Sequence, residues 1–181
     1  MKKIISTFCL GLFLATITFA QQDSTSTNAV KSNAEVISVY DGDSYSVLMD
    51  GQKKVFSIRL WGADAPEKKS IYVANVQAYG PQAADSMRFM LKGKRIFVDT
   101  LYRDVYNRRI AKVQYGHQDL TTYVISKGFA WYYPSKGMTR AQRTFYANLQ
   151  KTAQSNKVGL WGLDGEKIKP SDFRKQNKVK K

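Results

Sequence analysis

The polar residues Asp41, Asp43, Arg59, Asp64, Glu67, Arg103, Asp104, Arg108 and Arg109 stand at or near the ends of apolar stretches. Asp41 and Asp43 flank a glycine in "VYDGDS", and Asp64 and Glu67 are the acids of "ADAPE". Carboxylates gathered in a basic chain repel a polyanion unless a cation neutralises them. An oxygen-only set with no clustered histidine or thiol suits a hard divalent cation, calcium or magnesium, rather than zinc. On that reading the acids hold a metal and the metal meets a phosphate. Arginine forks nearby bond two phosphate oxygens at once. For Asp41-Gly42-Asp43 taken alone a plain turn is the competing reading, because Asp and Gly are common turn residues.

The elements that must bring these residues together are short. A strand, a tight turn at Asp41-Gly42 and a second strand ending at Asp50-Gly51 are predicted over "AEVISVYDGDSYSVLMDG". A third strand follows in "KKVFSIRLWGA", with Arg59 among its apolar residues. "YGPQAADSMRFMLKG" reads as a helix that opens at Pro81, lines up Ala84, Met87 and Leu91, and closes at Gly93. "KRIFVDT" and "RRIAKVQYG" are two more strands. "QDLTTYVISKG" predicts a helix with Leu120, Tyr123 and Val124 inward. "TRAQRTFYANLQKTAQSN" predicts another, with Ala141, Phe145, Leu149 and Ala153 on one face. Five short, mostly antiparallel strands with helices between them predict an α+β chain built on a small β-barrel, and the five-stranded oligonucleotide-binding (OB) fold fits that count. In a meander the strand ends converge on one mouth, where the polar residues would meet.

Composition bounds the partners. The chain has 181 residues, 43% hydrophobic and 13% aromatic, which places it among globular proteins with a real core. A formal net charge of +15 favours nucleic acid, phosphate-rich or anionic-surface partners. Residues 1–20 read as a secretory signal peptide: "MKK", an apolar run, and a small-residue exit at Ala20. Cys9, the only cysteine, lies inside it, so the mature chain has no thiol chemistry or disulfide. Residues 21–33 read as a polar linker, 34–164 as the folded domain and 165–181 as a basic, solvated tail.

In order along the chain, "VYDGDS", "IRLWGADAPE", "YGPQA", "DVYNRRIA" and "GLW" resemble the thermonuclease, or staphylococcal nuclease-like, family from about Val36 to Trp161. The resemblance implies an OB-fold barrel with three α-helices and a calcium-dependent hydrolase of phosphodiester bonds in DNA and/or RNA. It implies that Asp43, Asp64 and the main-chain carbonyl of Ala65 bind Ca2+, with Asp41 an acid close behind them. Glu67 is implied as general base, Arg59 and Arg108 as the grip on the scissile phosphate, and Tyr106 as a neighbour of the nucleotide. These roles agree with elementary chemistry: charge gathers on the phosphoryl oxygens as water attacks, and fixed positive groups stabilise it.

The chain departs from the family in places. Asn107 stands where glycine is frequent, and asparagine tolerates positive φ. Val105 replaces a phosphate-contacting lysine, with Arg103 or Arg109 as the substitute. In "FAWYYPSK", Tyr132 or Tyr133 is the candidate to stack a base. His117 falls in a turn and reads as a surface residue. The expected protein is an exported monomer, secreted or periplasmic, with nucleic acid as substrate and no membrane partner. The competing class is an inactive barrel that only binds nucleic acid. Retention of Asp43, Asp64 and Glu67 beside phosphate distinguishes the two, because a pure binder has no use for them.

Overall fold

The computed structural model describes residues 30–179. The signal-peptide reading and most of the linker lie outside them. The elements in chain order are β1 (Lys31–Val39), β2 (Ser44–Met49), β3 (Val55–Leu60), β4 (Ala63–Asp64), α1 (Gly80–Leu91), β5 (Arg95–Arg103), β6 (Arg109–Tyr115), β7 (Gln118–Asp119), α2 (Leu120–Ser126), β8 (Trp131–Tyr132), α3 (Arg140–Ser155), a 3₁₀ turn (Gly159–Gly162) and α4 (Pro170–Gln176).

The five long strands form the expected barrel. They run in the order β3-β2-β1-β5-β6, and β6 returns to pair with β3 and close the ring. That closing pair is parallel, with Ile58 opposite Arg109 and Leu60 opposite Ala111. Two irregularities let the sheet curl. The register of β1 shifts between Val36 and Ser38, and that of β5 between Thr100 and Tyr102. The shift in β1 moves the buried set from Ala34 and Val36 to Val39 and leaves Ile37 half exposed. The core inside is built from Tyr45, Val47, Met49, Ile58, Leu60, Val98 and Val113, with Met87 and Leu91 of α1 against it.

Trp61 and Gly62 follow β3. The Trp61 ring is buried, its Nε1 donates to the Lys136 carbonyl at 2.8 Å, and Tyr146 of α3 meets it edge-on at 6.4 Å. Gly62 has φ +94, and a Cβ there would stand 2.7 Å from the Met138 methyl. This sharp exit sends the chain into β4, which pairs with β8 and carries Asp64 back toward the barrel mouth.

Three features differ from the sequence reading. The first strand begins at Lys31, inside the segment read as linker, because residues 31–35 pair with β5. In α3 the buried residues are Tyr146 and Ala153, whereas Ala141 and Phe145 are exposed. Tyr146 wins the inward position because its ring fits between Trp61 and Tyr132, at 6.4 and 6.2 Å. Finally, the tail carries a fourth helix, α4, so the described residues hold four α-helices rather than three. Its segment is tied to the 70–77 loop by Val179 N to Tyr72 O (3.1 Å), Ala74 N to Asn177 O (2.9 Å) and Asn75 Nδ2 to Asn177 Oδ1 (2.7 Å). No helix among the described residues is long and apolar enough to cross a membrane.

Candidate active site

The turn between β1 and β2 sets the first two acids. Tyr40 N donates to Ser44 O at 2.9 Å, and Asp43 N donates to Asp41 Oδ1 at 2.9 Å, so the Asp41 side chain closes the turn on itself. The buried Tyr45 hydroxyl donates to Gly42 O at 3.0 Å. Glycine is required at 42 by close approach: a Cβ would lie 2.9 Å from the Ala65 Cβ. The turn is thereby packed directly on the segment that carries Asp64 and Glu67.

Asp43 is buried and fully engaged. Its Oδ1 accepts from the Ser44 hydroxyl at 2.7 Å and its Oδ2 from Ala65 N at 2.8 Å. Arg59 Nη2 lies 3.1 Å from Asp43 Oδ2 and also donates to Asp64 Oδ1. Two carboxylate oxygens, one from the turn before β2 and one from β4 of the second, two-stranded sheet, thus converge on one nitrogen. Burial alone would raise the Asp43 pKa, but the Arg59 charge and the hydrogen bonds outweigh it and hold the carboxyl low. The same burial, together with the Asp43 charge, pushes Asp41 well above the ordinary carboxylate range. The Arg59 guanidinium is held charged: burial opposes it, and Asp43, Asp64 and Asp41 more than compensate.

Glu67 is placed by its main chain. Its N–H donates to Gln77 Oε1 at 3.1 Å, and Gln77 N donates back to Glu67 O at 2.9 Å. The Gln77 amide continues to Ile168 O at 2.7 Å, which links the site to the C-terminal segment. Burial raises the Glu67 pKa, against the lowering effect of a hydrogen bond and charge from Arg174.

Arg174 of α4 is the residue the sequence reading missed. Its Nη1 and Nη2 donate to Asp64 Oδ1 and Oδ2 at 2.9 and 3.0 Å, and Nη1 also donates to Glu67. Local signals for its helix were present: Pro170 at the first position, Asp172 in the first turn, and Arg174 and Lys175 in the last. Gln77 carried no comparable signal.

The other expected residues sit in a second group. The β5–β6 loop is folded around Asp104, whose Oδ1 accepts from Tyr106 N (3.0 Å) and Arg108 N (2.9 Å). Its Oδ2 accepts from Arg108 Nε at 2.8 Å. Asn107 takes φ +62, the glycine-like conformation expected of it. Arg108 lies 5.5 Å from the centre of the Tyr106 ring, and its bonding is within its own loop rather than to the acids around Arg59. Tyr106 is exposed, with the Tyr72 ring 6.5 Å away. Tyr132 is half-buried and stacked on Tyr146, whereas Tyr133 is exposed.

Among the described residues no group of three or more His, Cys, Asp or Glu side chains is arranged to hold a metal. The donor chemistry nonetheless fits a hard cation with few protein ligands. Asp43 Oδ2 and Asp64 Oδ1 point at a common centre, now taken by Arg59 Nη2, and both are oxygens.

The family model described as "Staphylococcal nuclease homologue" matches residues 57–162. The chain is 30% identical over 149 residues to an "Uncharacterized endonuclease" of Haemophilus influenzae, covering 82% of this chain and 76% of that protein. It is 32% identical over 143 residues to an "Uncharacterized endonuclease" of Escherichia coli O157:H7, covering 78% and 84%. It is also 30% identical over 125 residues to "Staphylococcal-like nuclease CAN1" of Arabidopsis thaliana, covering 69% of this chain and 35% of that protein.

Proposed function

The chain belongs to the staphylococcal nuclease family and is a nuclease that hydrolyses phosphodiester bonds, and from that premise we propose that a water molecule attacks the phosphate at the Asp43–Asp64–Glu67 centre with calcium as cofactor. The observation that carries this reading is the convergence of Asp43 and Asp64 on Arg59 Nη2, with Glu67 joined to Asp64 through Arg174.

Calcium held by Asp43, Asp64 and the Ala65 main-chain carbonyl would supply positive charge beside the phosphoryl oxygens. The remaining work belongs to the chain's own groups. Glu67 takes a proton from the attacking water as the water oxygen bonds to phosphorus; the P–O bond to one sugar oxygen breaks, and that oxygen takes its proton from solvent. The raised pKa of Glu67 brings it closer to the operating pH, where a base is most effective. Arg59, already aimed between the two acids, stabilises the charge that gathers on the phosphate. Arg108 meets the phosphate from the facing loop, held in direction by Asp104. Its guanidinium acts by charge, since it barely releases a proton. Asp41 stays protonated more readily than Asp43 and keeps the turn closed. Tyr106 and the exposed Tyr133 flank the nucleotide, whereas Tyr132 stacks on Tyr146. A cation on Asp43 and Asp64 requires Arg59 Nη2 to turn from the centre between them toward the phosphate and the Arg174 fork to let go of Asp64.

The apolar run at 1–20 supports export, and the protein acts as a monomer on DNA and/or RNA outside the cytoplasm. The test is incubation of the mature protein with single-stranded DNA, duplex DNA and RNA, each with calcium and with a chelator. Cleavage is expected with calcium only. Full activity in chelator would remove calcium from the mechanism. Binding without cleavage in calcium would replace the enzyme with a nucleic-acid-binding barrel.

A further inference from the structure

The short helix α4 carries Arg174 to the acids, and little holds α4 itself. Of its seven residues only Pro170 is buried. Phe173 lines a cavity of about 180 Å³ together with Pro66, Trp131 and Leu160, so the apolar side of the helix is loosely packed. The chain before α4 is tied down by the Gln77 amide on Ile168 O at 2.7 Å. The chain after it is tied to the 70–77 loop by one isolated antiparallel bridge, Val73 opposite Lys178, and by the Asn75–Asn177 side-chain bond. A short element with so little apolar burial opens at a small free-energy cost.

The position that α4 reaches is the one the reaction needs. Arg174 takes both oxygens of Asp64 and one of Glu67. Calcium requires the first acid, and the base requires a free oxygen to receive a proton from water. The guanidinium brings to Asp64 the positive charge that calcium would bring. Arg59 already stands in the same mouth. A divalent cation entering there would leave Arg174 beside two like charges with its acceptor taken, an unfavourable position for a side chain only 34% exposed. Undocking α4 removes that charge and breaks only a few hydrogen bonds at the surface.

We propose that residues 168–179 form an autoinhibitory strap, docked on the 70–77 loop with Arg174 across Asp64 and Glu67, and that calcium binding and undocking of the strap are one coupled step. The proposal rests on calcium being the cofactor of the Asp43–Asp64–Glu67 centre. Linkage makes the coupling reciprocal: whatever holds the strap down weakens calcium binding, and calcium loosens the strap.

The bridge gives a way to lock the strap. Val179 N donates to Tyr72 O and Ala74 N to Asn177 O, so Val73 and Lys178 between them are a non-hydrogen-bonded pair. Such pairs stand about 4.5 Å apart at Cα, close enough for a disulfide. Cys9 is the only cysteine of the chain, so in the mature protein Val73→Cys/Lys178→Cys makes a lock that a reductant opens. Calcium affinity is measured by calorimetry in the wild type, in the locked protein oxidised and reduced, and in Arg174→Gln with and without the lock. Oxidation is expected to weaken calcium binding at least about tenfold, and reduction to restore it. With Arg174→Gln the lock is expected to have no effect, because the strap then holds no guanidinium on Asp64. Amide hydrogen exchange at Ala74 and Val179 is expected to quicken when calcium is added to the wild type, and to be independent of calcium in Arg174→Gln. These exchange rates decide the matter alone if the disulfide does not form. Equal calcium affinity of the oxidised and reduced proteins, a lock that acts equally in Arg174→Gln, or wild-type exchange unmoved by calcium would overturn the strap and leave calcium and the nuclease reading intact. No calcium binding by any of these proteins would overturn calcium as cofactor, and the strap with it.

Discussion

Arg174 and Asp64 lie 110 positions apart in the chain, yet form a two-pronged pair in which both guanidinium nitrogens meet both carboxylate oxygens. The pair places a fixed positive charge on an oxygen that a divalent cation would need. Removing it has two expected consequences. In chelator, Arg174→Ala loses about 1–2 kcal/mol of stability, between the values for exposed and buried pairs, because Arg59 still serves Asp64. Calcium then stabilises the variant more than the wild type, because Arg59 alone, rather than Arg59 and Arg174 together, competes for Asp64. Denaturant unfolding with and without calcium measures both. Equal stabilisation by calcium in the two proteins would show that the fork does not compete.

In the proposed mechanism Arg59 stabilises charge and Glu67 transfers the proton. Arg59→Ala is expected to lose about 10²–10³ in single-turnover cleavage, the usual cost of one preorganised charge contact. Glu67→Gln is expected to lose at least about 10² while binding an oligonucleotide as well as the wild type, since a negative charge near phosphate has gone. Wild-type cleavage by Glu67→Gln would end its assignment as the base.

Asp41 couples stability to pH. Burial and the Asp43 charge raise its pKa in the folded protein above the unfolded value. Its favourable contribution is therefore complete below the unfolded pKa and is lost as pH rises through the folded one. Asp43 has the opposite sign: its folded pKa is lowered, so its contribution is present above the unfolded pKa and lost on acidification through the folded one. Asp41→Asn keeps an acceptor for Asp43 N and removes the titration. In chelator it should be more stable than the wild type at neutral pH and lose less stability between mildly acidic and neutral pH. Parallel stability curves for the two proteins would contradict this.

Gly80 fixes the position of Glu67 by leaving room for its carbonyl. A Cβ at 80 would come within 2.4 Å of Glu67 O and 3.1 Å of Pro66 O, both main-chain atoms that cannot swing aside. Gly80→Ala is expected to cost about 1–3 kcal/mol despite the better helix propensity of alanine, and to lower turnover as Glu67 shifts. Thermal unfolding beside single-turnover cleavage is the measurement. A more stable variant would mean that α1 absorbs the methyl freely.

Local chemistry made much of the fold and half of the site legible. Short apolar stretches bounded by turn residues marked the five long strands, Asp41 and Gly42 marked the turn, and Asn107 was readable as a positive-φ residue because its side chain tolerates that conformation. Arg59 was readable because it interrupts an apolar strand. These signals reach no further than one turn or one element. The inward face of α3 slipped by one residue because Phe145 and Tyr146 are both large and apolar enough, and only the space beside Trp61 and Tyr132 selects Tyr146. The C-terminal segment read as solvated because its charges are plentiful, and charge spacing does not say which arginine meets a buried acid. Packing of α4 on the 70–77 loop decides that Arg174 reaches Asp64, the Asp104 turn decides that Arg108 bonds within its own loop, and the parallel closure of β3 on β6 decides that Arg109 is buried. The sequence determined which side chains were available for phosphate chemistry. Their pairing came from tertiary structure, since a buried charge takes whichever partner the fold brings within hydrogen-bonding distance, however far away it lies along the chain.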